Sequence, residues 1–197
     1  MSDTANALLD TAQHLVQTRG YNAFSFRDLS RAHGMTNAGV HYHFPSKDDL
    51  GQALVARYRR VFAAELAAVR QAKATAPERL RGFVGIYAHV LRQERLCLCG
   101  MLASEAVTLP TAVRRELRGF FTETKQWLAE VLSEGEAAGT LAFEGAATDE
   151  AASLLASTQG AMLTAWPFYD PDQENGATAA LSLFETITES LVQRLVA

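Results

Sequence analysis

Apolar residues in this chain recur three and four positions apart, and this spacing constrains the fold more than any other feature. Positions at this spacing share one face of an α-helix, whereas a half-buried strand needs strict alternation. The longest stripe follows Pro110 and consists of Val113, Leu117, Phe120, Phe121, Thr124, Leu128, Val131 and Leu132. Alternating runs of Val, Ile and Thr are scarce, while Ala and Leu, which favour helices, are abundant. The sequence therefore predicts an all-α protein.

Glycines, prolines and capping residues divide this helical pattern into segments. Gly20 fits the end of a first helix, Thr36 can cap a short one, and Ser46 with Asp49 resembles a capping box. Pro110 suits the first turn of another helix. We predict long helices over about residues 4–19, 77–95, 110–139, 148–166 and 177–196, another that starts at residues 45–49, and two short helices within 26–44.

Length and composition exclude several classes of protein. The chain has 197 residues, 48% of them hydrophobic and 20% charged, which is typical of a globular protein. No apolar run approaches the roughly 20 residues of a membrane span. The first ten residues, MSDTANALLD, lack the basic and apolar regions of a signal peptide. We therefore expect a cytoplasmic protein without a membrane partner.

Charge is distributed unevenly along the chain. The net charge is −4, but residues 1–60 carry seven Lys and Arg against five Asp and Glu, and also four of the five histidines. The remaining residues carry eleven basic and seventeen acidic side chains. A polyanion, if one is bound, is therefore expected to meet the N-terminal segment.

The segment from Phe26 to Lys47 predicts a helix-turn-helix. Gly34 allows a tight turn between its two short helices, which Leu29, Ala32, Met35 and Val40 can hold together. The second helix contains no acidic residue. Small residues near its start would let its backbone approach base edges in the major groove. Its exposed positions are then Asn37, Ala38, Gly39, His41, Tyr42 and His43.

Other side chains around this segment suit contacts to a nucleic-acid backbone. Tyr42, His43 and Lys47 can bind phosphate oxygens, and Lys47 also lies beside a helix N-terminus. Arg27 can reach a guanine edge or a phosphate. The alternative is a helical corner within a core that carries its histidines on the surface.

The stretch HGMTNAGV followed by HYHFPSKDDL resembles the tetracycline-repressor (TetR) family of bacterial regulators. By position, the family's DNA-facing surface falls on Arg27, Asn37, Ala38, Gly39, His41, Tyr42, His43 and Lys47. One departure is His41, where the family often has Tyr. The resemblance implies a helix-turn-helix domain over residues 1–47 and an effector-binding and dimerisation domain over residues 48–197. It further implies a nucleoid-associated repressor without a cofactor, which binds an operator in double-stranded DNA.

The same resemblance implies a small-molecule effector inside the C-terminal domain. Polar or aromatic residues on inward helix faces are the candidates for its site, and their aromatic and Met content favours an apolar or aromatic effector. Glu105 and Gln159 could supply a polar contact, although Glu105 could instead pair with an arginine. The candidates are Phe62, Tyr87, Leu91, Met101, Glu105, Phe121, Gln159, Met162 and Trp166. Each could also be a plain core residue.

The two C-terminal helices are candidates for a homodimer interface. The last helix carries a seam with spacings of three and four residues, formed by Leu181, Phe184, Thr188, Leu191 and Leu195. Ala152, Ala156 and Gly160 on the preceding helix allow close approach of a second helix. Two such helices from each copy could form a four-helix bundle. The alternative is that both faces fill the chain's own core.

Cys97 and Cys99 leave two interpretations open. They could sense an oxidant or an electrophile, or they could be small apolar core residues. Residues two apart on a helix do not converge, so neither this pair nor His41 with His43 suits a metal. No phosphate-binding glycine loop, HExxH or GxSxG motif supports an enzyme. A helical dimer that acts only through protein partners remains the other alternative.

Overall fold

The computed structural model describes residues 2–173 and 175–197. In these residues the backbone forms nine α-helices and no named strand, which confirms the all-α prediction. The helices are α1 (Asp3–Arg19), α2 (Phe26–Ala32), α3 (Asn37–His43), α4 (Lys47–Ala72), α5 (Ala76–Arg92), α6 (Leu98–Ser104), α7 (Thr111–Ala137), α8 (Ala147–Ala165) and α9 (Thr178–Gln193). A short 3₁₀ helix, Trp166–Phe168, follows α8.

Side-chain caps fix several helix starts, and the sequence predicts those of α3 and α4. Ser46 Oγ accepts the Asp49 N–H at 3.1 Å and donates to Asp49 Oδ2 at 2.6 Å, immediately before and within the first turn of α4. Thr36 caps α3 by accepting the Gly39 N–H at 3.2 Å. Thr75 and Glu78 form a capping box at α5, and the hydrogen bonds from Thr75 lower the pKa of the Glu78 carboxyl.

Two helices end earlier than the spacing of apolar residues predicts. Helix α5 stops at Arg92 because Glu94 adopts a left-handed conformation with φ 57°. Helix α9 stops at Gln193, because the residues after it pair with the segment that follows α7. There the Ala142 N–H donates to the Leu195 carbonyl at 2.8 Å, and Leu141 forms an isolated antiparallel bridge with Val196.

The chain forms two compact units, each built from segments that are distant in sequence. The first unit contains the residues up to Val61 together with Leu98–Phe120, so α6 and the start of α7 belong with the helix-turn-helix. Its core joins α1, α2, α3 and α4 through fully buried side chains such as Leu8, Leu29, Val40 and Leu50. The unit carries ten Lys and Arg against seven Asp and Glu, so its net charge is positive.

The second unit contains Phe62–Cys97 and Phe121–Ala197. Helix α9 packs on α5 and α8, and its Phe184, Thr188 and Val192 are buried in the chain's own core. The predicted dimer seam is therefore partly wrong, since Phe184, Thr188 and Leu195 face inward while Leu181 and Leu191 are half-buried. No described helix is both long and apolar enough to cross a membrane.

Candidate nucleic-acid interface and effector site

Helices α2 and α3 are joined by a four-residue turn whose geometry comes from glycine and local hydrogen bonds. Gly34 has φ +61°, a conformation that residues with a Cβ rarely adopt, and the Met35 N–H donates to the Ser30 carbonyl at 3.0 Å. His33 Nε2 and Thr11 Oγ1 lie 2.8 Å apart, which ties the turn to α1. These contacts hold α3 in a fixed position on the first unit.

Helix α3 is buried along one face only. Val40 is fully buried, whereas Tyr42 is 84% exposed and Asn37, Ala38 and His41 are also exposed. Gly39 and His43 are half-buried. A methyl group at Gly39 would make only ordinary contacts, at 3.6 Å from Met35 Sδ and farther from Thr36. The packing of the protein therefore does not explain the glycine at this position.

Of the other candidates, Arg27 lies outside α3 and His41 lies within it. Arg27 is exposed near the start of α2, where Ser25 and Asp28 form a capping box. His41 is held by a 3.1 Å contact between its Nδ1 and the Pro45 carbonyl, and by edge-on packing against the Phe26 ring. Because Nδ1 faces the protein, His41 offers Nε2 to an outside group.

Lys47 lies in a different environment from the one that the sequence suggests. Its Nζ donates to the carbonyls of Tyr21 at 2.7 Å and Phe24 at 2.5 Å, and it lies within 4.7 Å of both ring centroids. Burial lowers the pKa of this ammonium, although the charges of Glu105 and Asp28 oppose the shift. Lys47 is thus engaged inside the protein, and its ammonium supports the loop before α2.

The Glu105 carboxylate binds the loop between α1 and α2, and it pairs with no arginine among the described residues. Its Oε1 accepts the Tyr21 N–H at 2.9 Å, and its Oε2 accepts the Asn22 N–H at 2.9 Å and the Asn22 amide at 2.6 Å. Tyr21 and Asn22 are not among the predicted residues, because their contact with Glu105 spans more than 80 positions. No local pattern in the sequence indicates it.

Four of the predicted effector residues meet in the second unit. Phe62, Tyr87 and Met162 are almost fully buried, and Gln159 Nε2 donates to the Tyr87 hydroxyl at 3.2 Å. The Phe62 and Tyr87 rings pack edge-on, with centroids 5.8 Å apart. Gln159 Oε1 is buried without a hydrogen-bond partner in the described part of the chain. A buried polar atom of this kind requires a partner such as water or a ligand.

Two aromatic residues that were not predicted, Phe83 and Trp127, lie beside these four. The Phe83 ring packs against Tyr87 at 5.2 Å and against Trp127 at 6.3 Å between centroids. Trp127 Nε1 is also buried, and no described group accepts its hydrogen. The spacing of Phe83 from Leu80 and Tyr87 could have indicated its inward position. We call Phe62, Phe83, Tyr87, Trp127, Gln159 and Met162 the aromatic cluster.

The remaining effector candidates are placed less favourably for a shared site. Leu91 is fully buried and Phe121 is half-buried in the second unit. Trp166 is half-buried and stacks on Tyr169 with centroids 4.7 Å apart. Met101 lies in α6 and therefore belongs to the first unit.

Both cysteines are buried, Cys97 just before α6 and Cys99 within it. The Cys97 N–H donates to Met162 Sδ at 3.1 Å, and Gln159 Nε2 lies 3.6 Å from Cys97 Sγ. Burial favours the interpretation as core residues, since reactive thiols are partly exposed. Among the described residues no group of three or more His, Cys, Asp or Glu could hold a metal ion.

Comparisons with known proteins match this geometry. Residues 8–54 fit the family model described as bacterial regulatory proteins, tetR family. A TetR-family transcriptional regulator from Agrobacterium tumefaciens is 34% identical, over 98% of both chains, with a TM-score of 0.89. The protein belongs to the TetR family. It is therefore a DNA-binding transcriptional regulator and not an enzyme.

Other members of the TetR family are similar along most of the chain. A TetR transcriptional regulator from Legionella pneumophila is 28% identical, over 99% of this chain and 98% of that one, with a TM-score of 0.82. The HTH-type transcriptional repressor DhaR from Mycobacterium sp. (strain GP1) is 25% identical over 159 residues, which are 77% of this chain and 80% of DhaR. The predicted family and its N-terminal helix-turn-helix are thus confirmed.

Proposed function

We propose that this TetR-family regulator is a repressor that binds a palindromic operator as a homodimer and is released by a small apolar or aromatic effector. The observation that carries the DNA contact is the one-sided burial of α3. Val40 anchors the helix, while Asn37, Ala38, His41 and Tyr42 face solvent without an acidic neighbour on the helix. Gly39 and His43 border this surface, and Arg27 adds a cation beside it.

The net positive charge of the first unit supports binding to a polyanion. Its exposed Tyr42 hydroxyl and Arg27 guanidinium suit phosphate oxygens or base edges. Lys47 contributes by holding the preceding loop, because both hydrogen bonds of its ammonium go to carbonyls of that loop. Lys47 therefore acts as a support for the loop and not as a phosphate contact.

Selection of bound fragments from a random DNA pool tests the proposal. Purified protein should enrich a palindrome, and the double variant Asn37→Ala/Tyr42→Phe should not. Both side chains are exposed, so the variant should keep the melting temperature of the parent. If a folded, dimeric protein enriches no sequence at low salt, the proposal of operator binding is wrong. The result would then favour a helical dimer that acts through protein partners.

The aromatic cluster is the proposed effector site. It offers ring faces together with two buried polar atoms that lack partners, the acceptor Gln159 Oε1 and the donor Trp127 Nε1. An aromatic effector with one hydroxyl or carboxyl group would satisfy one of these atoms and add apolar contacts. Such a ligand releases DNA only if it binds the DNA-free state more tightly than the DNA-bound state.

A thermal-shift screen with substituted phenols and benzoates tests the effector site. A compound present at about 100 times its Kd should stabilise the protein by about 2.7 kcal/mol. Gln159→Leu keeps the volume of the side chain but removes its hydrogen bonds, so it should weaken the shift given by hydroxylated compounds. If hydroxylated compounds shift the Tm of the parent and of Gln159→Leu equally, they do not bind at the aromatic cluster.

The exposed face of α8 supports a homodimer. Ala152 and Ala156 are exposed, a Cβ at Gly160 would meet open space, and Leu163 is 41% exposed. On α9 the half-buried residues Leu183 and Ile187, rather than Phe184 and Thr188, remain available. A two-fold interface between these helices would cover apolar surface that one chain leaves in water.

A further inference from the structure

We propose that Glu105 is a positioning residue for operator binding, because it clamps the loop that carries the helix-turn-helix. The loop consists of residues 20–25 between α1 and α2. This inference rests on the proposed operator binding and extends it to a residue outside the helix-turn-helix. Glu105 touches no DNA in the proposal and acts through Tyr21 and Asn22.

The loop is short and contains no helix, yet two distant side chains hold its backbone. Glu105 accepts the N–H groups of Tyr21 and Asn22, both at 2.9 Å. Lys47 donates to the carbonyls of Tyr21 and Phe24. An anion thus binds the loop donors and a cation binds the loop acceptors. The carboxylate and the ammonium also attract each other, as the effect of Glu105 on the pKa of Lys47 indicates.

Gly20 makes room for the carboxylate. It ends α1 with φ +92°, and a Cβ at this position would overlap Glu105 Oε1. Asn22 extends the clamp, since its side-chain amide donates to Glu105 Oε2 at 2.6 Å and to Thr108 Oγ1 at 2.8 Å. The loop is therefore bonded at several points to the segment that follows α6.

Glu105 is held in place by the packing of α6, the helix that precedes it. Helix α6 contacts α1, and Leu98, Cys99, Gly100 and Leu102 are buried. Glu105 follows this helix directly, so it is presented from a packed element. Downstream of the loop, α2 begins at Phe26. A loop held at both its donors and its acceptors fixes where α2, and with it α3, lies on the unit.

Operator binding is sensitive to such positioning. In a dimer the two recognition helices must lie about one DNA turn, roughly 34 Å, apart. A loosened loop lets each recognition helix sample other positions, so a smaller fraction of the protein is ready to bind the operator. Nonspecific contacts to phosphates do not need this exact placement and are less affected.

The test compares equilibrium binding of the selected palindrome and of a random duplex of equal length. Glu105→Ala should lower operator affinity about tenfold. Its affinity for the random duplex and its salt slope should not change, since α3 and Arg27 keep their exposed groups. Amide exchange in residues 20–25 should accelerate. Glu105→Gln keeps one acceptor oxygen and should fall in between.

Glu78→Gln is the matched control. Glu78 also accepts a loop N–H, from Thr75 at 3.0 Å, but it caps α5 in the second unit. This variant should bind both duplexes as the parent does. Asn22→Ala removes an exposed side chain from the clamp and should give a smaller loss of operator affinity than Glu105→Ala. If Glu105→Ala does not fold, Asn22→Ala still tests the clamp.

A double-mutant cycle adds a geometric test. Gly20→Ala strains the backbone in any background, but its methyl group meets a carboxylate only when Glu105 is present. Gly20→Ala should therefore cost more operator affinity in the parent than in Glu105→Ala. Equal costs would show that the carboxylate does not occupy this position.

Two outcomes overturn the clamp. In the first, Glu105→Ala and Asn22→Ala bind the operator as the parent does. In the second, operator and random duplex lose affinity in equal proportion together with thermal stability, which indicates a merely structural residue. If the parent itself shows no preference for any operator, the proposed function fails and the role of Glu105 fails with it. The parent measurement alone identifies that case.

Discussion

Replacing Lys47 by Met distinguishes a support inside the protein from a contact to DNA phosphate. Methionine keeps the apolar stem but removes the ammonium, so the carbonyls of Tyr21 and Phe24 lose their donor. A phosphate contact would leave stability unchanged and weaken DNA binding. An internal support predicts the opposite pattern, a loss of stability with little change in the number of phosphate contacts.

The structure sets the size of the expected loss. A hydrogen bond from a charged donor contributes about 1.5–3 kcal/mol, and a cation over an aromatic face about 0.5–1 kcal/mol at an exposed site. Lys47 makes two of each but is half-buried, and removing the ammonium also relieves its desolvation. We expect a net loss of about 2–3 kcal/mol. For a chain of this length this lowers the Tm by roughly 5–10 °C.

Thermal melting and salt-dependent DNA binding together provide the assay. Lys47→Met should melt earlier, and amide exchange at residues 21–24 should accelerate. Its plot of log affinity against log salt should keep the parent slope. Arg27→Ala is the contrasting variant, because this exposed arginine should leave the Tm unchanged and reduce the salt slope by about one.

One combination of results would contradict the role of Lys47 as an internal support. If Lys47→Met has the same Tm as the parent but a salt slope smaller by about one, the Lys47 ammonium of the parent binds a phosphate and does not support the loop. The hydrogen bonds to Tyr21 and Phe24 would then contribute nothing measurable. Equal behaviour of Lys47→Met and Arg27→Ala in both assays would lead to the same conclusion.

Four further predictions concern other parts of the chain. Gly39→Ala should stabilise the protein by about 0.5–1 kcal/mol in a melt, since the added methyl makes only ordinary contacts with Met35 and Thr36, but it should weaken operator binding by crowding the proposed DNA contact. Ala156→Arg should give monomers in sedimentation, because the interface would bury like charges. Hydrogen bonds from Ser25 lower the pKa of Asp28. Its contribution to stability is therefore present above the ordinary pKa of about 3.9 and lost as pH falls through the folded value. As the pH is lowered through the acid range, the Tm of the parent should therefore fall more steeply than the Tm of Asp28→Asn. Peroxide should not release the operator, and Cys97→Ser/Cys99→Ser should match the parent, because both thiols are buried; release in the parent alone would contradict this.

Local patterns predicted the elements around the proposed DNA-binding surface correctly. The Thr36 cap, the Gly34 turn and the inward Val40 all depend on residues within a few positions of one another. Side-chain exposure on α3 follows from the same periodicity, because burying Val40 turns Tyr42 outward. The exception is Ala32, which was expected between the helices but is exposed.

The partners of long side chains and the cover of helix faces were harder to predict. The sequence suggests a phosphate contact for Lys47 and an effector contact for Glu105, but it does not indicate the loop that both side chains bind. Their actual partners lie more than 20 and more than 80 positions away. In α9 the seam containing Phe184 looked suitable for a partner chain, but α5 and α8 already cover it. Spacing identifies an apolar face but not what covers it.

Residue type and spacing are enough to predict the helical class, the capped starts of α3 and α4, and the residues that α3 presents to solvent. These features depend on contacts along one helix or across one turn. Three other features emerge only in the folded protein: the grouping of α6 with the helix-turn-helix, the loop that Glu105 and Lys47 both hold, and the face of α9 that stays available. Such contacts join residues far apart in the chain, so their geometry depends on how the helices pack within each unit.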